Sequence, residues 1–255
     1  MIKLYPLRHF YNRWLQPVLP TKLWKPAVWA YIRYLRDWAQ YSRMAGSETW
    51  RFADTYPCLF DRMATTPFDA HYFYQNVWAF KAIKRSETPY HVDVGSQVSF
   101  VGLLTAITHV IFVDIRPLVV NVSNFDSVAG DILNLPFDSG SVRSLSCLNV
   151  AEHIGLGRYG DRLDPAGTKK AARELGRVLA RGGDLYFAVP VGRPRVCFNA
   201  HRIHSPQQIL EYFHGLDLVE FSAVGDDGAF IHEVEPTGFE NATYSCGLFH
   251  FRKDL

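Results

Sequence analysis

His91-Val92-Asp93-Val94-Gly95-Ser96 is a short apolar run that breaks into a glycine turn. A strand ending in Asp-x-Gly brings backbone N–H groups and a carboxylate to the carboxyl edge of a sheet, where open α/β folds bind their ligands. Outward from it, apolar runs at 110–114, 144–150 and 185–190 alternate with helical segments, and a weaker strand falls at 127–129. That alternation predicts a mostly parallel α/β sheet. The strongest helix is predicted over 169–180, where Ala171, Leu175, Val178 and Leu179 share one face. Gly182-Gly183 closes it and turns the chain into the next strand. Runs at 216–224 and 247–252, separated by a polar stretch without helical period, predict an antiparallel hairpin added at the sheet edge.

The chain of 255 residues, 48% hydrophobic and 20% charged, is long enough to bury one full core with an appendage. Its net charge of +2 hides an uneven distribution. Residues 1–45 carry 8 basic and 1 acidic side chains, residues 46–90 carry 5 and 5, and residues 91–255 carry 14 and 19. All six tryptophans lie before residue 80 (Trp14, Trp24, Trp29, Trp38, Trp50 and Trp78). A basic, aromatic-rich helical extension over 1–65 is therefore expected ahead of a main domain over 66–255. Four prolines make 1–26 irregular, a helix is predicted over 27–44, and Thr66-Pro67 is read as the cap of another running to about residue 83. The extension either packs its rings onto the main domain or meets a headgroup surface.

Cys58, Cys147, Cys197 and Cys246 form no Cys-x-x-Cys pair, which argues against zinc ribbons and redox motifs. Arg8 and Arg13 interrupt the N-terminus and no 18-residue apolar run occurs, so a cytoplasmic protein is expected, with peripheral membrane contact left open.

Asp114 ends the second strand 21 residues after Asp93, where an acid can accept hydrogen bonds from ribose hydroxyls. A third acid follows in Gly130-Asp131-Ile132, within reach of an adenine amino group, and an Asx turn is the plainer alternative. A dinucleotide fingerprint needs glycines where this chain has Gln97 and Phe100. NAD and FAD are thereby disfavoured; a ligand without a pyrophosphate, such as S-adenosylmethionine, tolerates this loop better.

Together with Glu152-His153 after the fourth strand and Glu174-Leu-Gly-Arg-Val-Leu-Ala-Arg-Gly-Gly-Asp-Leu-Tyr-Phe-Ala-Val-Pro190, these segments resemble class I S-adenosylmethionine-dependent methyltransferases. A closer resemblance is to an uncharacterised methyltransferase-like family, a domain of unknown function. It is carried by His91-Val-Asp-Val-Gly-Ser96, Asp114-Ile-Arg-Pro117, Glu152-His-Ile-Gly-Leu-Gly-Arg-Tyr-Gly-Asp161 and Phe198-Asn-Ala-His-Arg202. The resemblance implies a Rossmann-like methyltransferase sheet and S-adenosylmethionine as cofactor, with Asp93, Gly95, Ser96, Asp114, Asp131 and Ile132 binding it. The family it resembles most carries no assigned activity, and the glycine-poor first loop departs from the usual pattern.

Methyl transfer from a sulfonium is an in-line displacement that requires a positioned acceptor and, for an oxygen nucleophile, a proton acceptor. The glycine- and charge-rich stretch 152–164 and the stretch 199–206 hold the candidates. His153 is expected as general base, oriented by Glu152 or Asp161, and His201 is expected to close over the acceptor. Arg158, Tyr159 and Arg202 are expected to bind it, the arginines favouring an anionic group. His201 and His204 lack an acidic partner at ligand spacing, so no metal is expected. The expected reaction is O-methylation of a small anionic or saccharide acceptor. The alternatives are a non-catalytic Rossmann-like module and, less favoured because residues 91–255 are acidic, nucleic-acid modification.

Overall fold

The computed structural model describes residues 24–48 and 51–255. The irregular arm expected over 1–26 lies outside the described residues as far as position 23, as does Trp50. The chain divides into two compact units, Met1–Pro67 and Phe68–Leu255. In the first, helix α1 (Trp24–Tyr41) ends before the predicted Met44, and Gly46 (φ +85°) follows in a turn. Arg33 on this helix donates to the Leu59 carbonyl at 2.7 Å, tying it to the chain that follows.

The second unit begins with α2 (Ala70–Ser86), whose N-cap is Asp69, accepting from Tyr72 N. The Thr66-Pro67 cap is thus corrected. The Asp69 carboxylate reaches a first-turn N–H that Thr66, outside the helix, does not. Then follow β1 (Tyr90–Val94), α3 (Val98–Leu104), β2 (His109–Asp114), β3 (Phe125–Ala129) and β4 (Val142–Leu148). After these come α4 (Gly167–Val178), β5 (Leu179–Val191), β6 (Arg195–Cys197), β7 (His201–Ile203) and α5 (Pro206–Tyr212). Strands β8 (Asp217–Val224), β9 (Phe230–Ile231) and β10 (Ser245–Arg252) complete the unit.

One sheet runs in the order β3-β2-β1-β4-β5-β10-β8-β9. Strands β1 to β5 pair in parallel, and β10 runs antiparallel between β5 and β8. The expected antiparallel addition is present, with the last strand inserted against β5 rather than left at the rim. Alternate residues of the central strands feed cores on opposite faces. Val92, Leu145, Leu185 and Phe187 pack with Ala171, Leu175 and Val178 of α4. Leu148, Tyr186 and Ala188 pack with Trp78 and Ile83 of α2 and with Phe100 and Leu104 of α3. Burying a large apolar side chain contributes roughly 1.5–3 kcal/mol, so this double-faced burial is what holds the parallel sheet together.

Helix α4 stops at Val178, short of the predicted Ala180, because Leu179 turns extended and begins β5. Gly182-Gly183, expected to close the helix, lie within that strand, and Lys253 Nζ satisfies the carbonyls of Gly176 and Leu179 at 2.7 and 2.8 Å. The stretch between β5 and α5 is not plain loop, since β6 and β7 form a small hairpin there. The polar stretch before β10 contains β9 and a 3-10 turn, Pro236–Phe239. No helix of the described residues is long and apolar enough to cross a membrane.

Candidate functional site

Strand order reverses direction between β1 and β4, and a cavity of about 770 Å³ opens there at the carboxyl ends of the strands. Val94 and Gly95 come from β1, Val113 and Asp114 from β2, Gly130 to Leu133 from the turn after β3, and Asn149 and Val150 from the exit of β4. Gly95 is in the left-handed region (φ +70°). A Cβ there would lie 3.1 Å from Val150 Cγ1 and 3.6 Å from Asp114 Oδ2, inside the cleft. Asp114 uses Oδ1 to accept Arg116 N at 2.7 Å, leaving Oδ2 beside Gly95. Asp131 accepts Leu133 N through Oδ1 in the Asx turn named as its alternative reading, and still lines the cleft together with Ile132. Apolar walls, the carboxylates of Asp114 and Asp131 and a glycine-made opening fit a nucleoside carrying a diol and an amino group.

Asp93 and Ser96 lie elsewhere than expected: both are buried beneath the turn, outside the cavity lining. Asp93 Oδ1 accepts Ser96 N at 3.0 Å and Oδ2 accepts Ser146 Oγ. Ser146 Oγ, having given its proton to Asp93, accepts from His91 Nε2 at 2.8 Å, so His91 Nδ1 accepts from Ser144 Oγ at 2.7 Å. Burial lowers His91 to about 3 and raises Asp93 to about 6, the hydrogen bonds from Ser146 and Ser96 opposing the latter shift. Of the three strand-end carboxylates expected in the cleft, Asp114 and Asp131 line it, and Asp93 holds the shape of the loop from below.

A second cavity, of about 920 Å³, is lined by Asp69, His71 and Tyr72 at the start of α2, by Glu152 and Arg158, by His201, and by Asp226, Thr243 and Tyr244. Gly95, Asn149, His153 and Tyr159 line both cavities. His153 Nδ1 lies 2.6 Å from the Ala200 carbonyl, and Nε2 is 3.6 Å from Glu152 Oε1. Burial pulls His153 down to about 4, so the ring is neutral near pH 7. Burial pushes the Glu152 carboxyl up to about 8. The two groups expected as base and orienter thus have their proton affinities inverted.

Asp161 accepts Gly155 N at 2.6 Å, Gly157 N at 3.3 Å and Tyr159 N at 3.2 Å. Burial alone would raise its carboxyl; these three donors hold it below the ordinary range. It organises the glycine loop and does not orient His153. Arg202 is corrected as well. Arg202 is buried, and its guanidinium donates to the carbonyls of Ile154 and Asp164 and stitches β7 to the same loop. Arg158 keeps its place in the second cavity, where its guanidinium lies 5.1 Å from the Tyr159 ring centroid, with Arg116 at 4.7 Å on the same ring. His201 lines that cavity with its ring 5.2 Å from Tyr244. His204 points to Thr168 Oγ1 instead.

Asn149, His71, Tyr72 and Tyr244 were not candidates from sequence. Asn149 carried a readable signal, standing at the end of the fourth apolar run just before Glu152. The others come from α2 and the loop before β10, segments with no chemical pattern of their own.

Residues 139–233 match the model of a family described as Caenorhabditis protein of unknown function, DUF268. No curated protein sequence matches the chain. Among solved structures, the N-methyltransferase NodS from Bradyrhizobium japonicum WM9 is 15% identical at a TM-score of 0.52, over 73% of this chain and 98% of that one. Its complex with S-adenosyl-L-homocysteine is 16% identical at a TM-score of 0.50, over 75% and 90%. The [4+2]-cyclase SpnF is 13% identical at a TM-score of 0.50, over 71% and 81%. These likenesses show a Rossmann-like, class I methyltransferase fold. The presence of a cyclase among them is a reminder that the fold leaves the reaction open.

Proposed function

We propose that the chain is an S-adenosylmethionine-dependent O-methyltransferase with a small saccharide-like acceptor. The observation that carries this is the wall of Gly95, Asn149, His153 and Tyr159 shared by two cavities, one fitted to a nucleoside and one lined by polar and aromatic side chains. In the first, Asp114 Oδ2 takes the ribose hydroxyls and Asp131 with Ile132 takes the adenine edge. Bound there, S-adenosylmethionine supplies an electrophilic methyl group. Tyr159 and the valines around Gly95 exclude water from the junction, which strengthens every polar contact inside it.

His153, neutral and with its lone pair on Nε2, accepts a hydrogen bond and so positions the acceptor; its low basicity makes it a poor store for a proton. Of the two arginines expected to hold an anion, Arg202 is occupied by two carbonyls, and Arg158, which lines the second cavity, already gives one donor to the Ala200 carbonyl at 3.0 Å. That shifts the acceptor from anionic towards uncharged.

A crystal soaked with S-adenosylhomocysteine tests the reading. Its ribose should meet Asp114, its adenine should lie by Asp131, and its sulfur should sit at the shared wall. Density placing the nucleoside elsewhere, or no density at saturating ligand, contradicts it and favours a binding module of another kind.

A further inference from the structure

Glu152 is 2% exposed, belongs to the lining of the second cavity, and has an Oε2 without a hydrogen-bond partner. Its other oxygen is 3.6 Å from His153 Nε2, beyond hydrogen-bond range. Buried polar atoms in folded proteins nearly always have partners, so an orphan in a cavity wall points to a donor that arrives with a ligand. The other acids of this cavity are already engaged. Asp226 accepts Thr243 N, Tyr244 N and Ser245 Oγ, and Asp69 caps α2.

We propose that Glu152 is the catalytic proton acceptor and that the second cavity takes a neutral polyhydroxyl ring, rather than an anion or an ammonium. This rests on the first cavity being the cofactor site. To accept a proton Glu152 must be ionised; an anion would then face its carboxylate, and an ammonium would face Arg158 with no other free carboxylate to pair it. A hydroxyl meets both demands, donating to Glu152 and accepting from Arg158. The ring of Tyr244 is stacked on His71 at 5.2 Å and lies 5.2 Å from His201, an aromatic panel suited to the C–H face of a sugar. In the reaction the hydroxyl oxygen forms a bond to the methyl carbon and its proton passes to Glu152 Oε2. The electron pair of the broken S–C bond stays on the donor's sulfur, leaving a neutral thioether. Burial, which raises the carboxyl to about 8, makes its ionised form a strong base, and the rate should therefore climb as pH rises towards 8 and more of the group is ionised.

The test uses the full chain with S-adenosylmethionine and three probe sets: methyl hexopyranosides, hexose phosphates and primary amines. S-adenosylhomocysteine release is expected with at least one methyl hexopyranoside. Glu152→Gln should lower kcat about 100-fold or more while KM stays within about threefold. Glu152→Asp, which retains a retracted carboxylate, should recover part of the rate. A cofactor-free readout accompanies it: saturation-transfer NMR should show the same glycoside binding to wild type and to Glu152→Gln, and not to Tyr244→Ala. Release only with phosphates or amines, release with no probe, a Glu152→Gln enzyme above half the wild-type rate, or no glycoside signal overturns the proposal. Calorimetry showing no S-adenosylmethionine binding would instead sink the cofactor reading, leaving the NMR result to judge the cavity on its own.

Discussion

Nδ1 of His153 lies 2.6 Å from the carbonyl oxygen of Ala200. A carbonyl can only accept, so the ring proton sits on Nδ1 and the lone pair on Nε2 faces the Glu152 carboxyl. This contact joins the exit of β4 to the β6–β7 hairpin and fixes both the tautomer and the position of the imidazole.

From it follows a modest effect for His153→Ala. A side chain that positions the acceptor without storing its proton should lower kcat about tenfold and raise KM, whereas loss of a general base costs about 100-fold or more. Steady-state kinetics on both variants separate the roles; a His153→Ala loss equal to that of Glu152→Gln would return the base to His153.

Arg202→Met should destabilise the chain and leave cofactor affinity nearly unchanged. Its removal strands two carbonyls, on Ile154 and Asp164, in a buried setting. Hydrogen bonds to charged groups contribute about 1.5–3 kcal/mol each, and a total loss of ~3–6 kcal/mol is expected in urea denaturation. Unchanged stability with weakened acceptor binding would restore Arg202 to the acceptor site.

Glu152→Gln should gain stability over wild type as pH rises. The folded-state value of Glu152 lies above its ordinary one, so the folded chain binds the extra proton. Its stabilisation is complete below the ordinary glutamate range and is lost as pH rises through about 8. The charged and titratable groups around it are Arg158, His71, His153, His201, Tyr72, Tyr159, Tyr244, Asp69, Asp226, Cys147 and Cys246. None of them donates to Oε2 in the structure. Melting curves at pH 5 and pH 9 should show the variant gaining at least ~1 kcal/mol relative to wild type, one pKa unit being worth about 1.4 kcal/mol. A pH-independent difference would mean that Glu152 is ionised throughout.

Gly155→Ala should disrupt the loop over the site. Gly155 has φ +81°, and a Cβ there would stand 2.1 Å from the Asp164 carbonyl, a backbone atom that cannot swing aside. A loss of ~2 kcal/mol or more is expected, and faster proteolysis between 155 and 164 would report it. Gly160, with open space around it, should tolerate alanine better, at about 1 kcal/mol of left-handed strain.

The sheet was legible because its strands are buried on both faces and therefore read as unbroken apolar runs, and because Ala171, Leu175 and Val178 mark the inner face of α4 so cleanly. Asp114 and Asp131 were legible because their positions follow strand ends. Asp93 misled for the same reason: a strand-end acid can point up into the cleft or down beneath the turn, and Ser146 of β4, which draws it down, lies more than fifty residues away. Arg202 and Asp161 misled because ionisable residues in glycine-rich loops serve backbone groups as readily as ligands. The second cavity was illegible, since its walls meet only when the start of α2 and the approach to β10 are brought together by the inserted final strand.

Isothermal titration of the full chain with S-adenosylmethionine, beside Asp114→Ala, tests the nucleoside cleft most directly. A single site is expected, with affinity about 10–100-fold weaker in the variant, the equivalent of one charge-assisted hydrogen-bond pair to the ribose. Absence of binding to wild type at millimolar ligand, or equal affinity in the two proteins, would contradict the account.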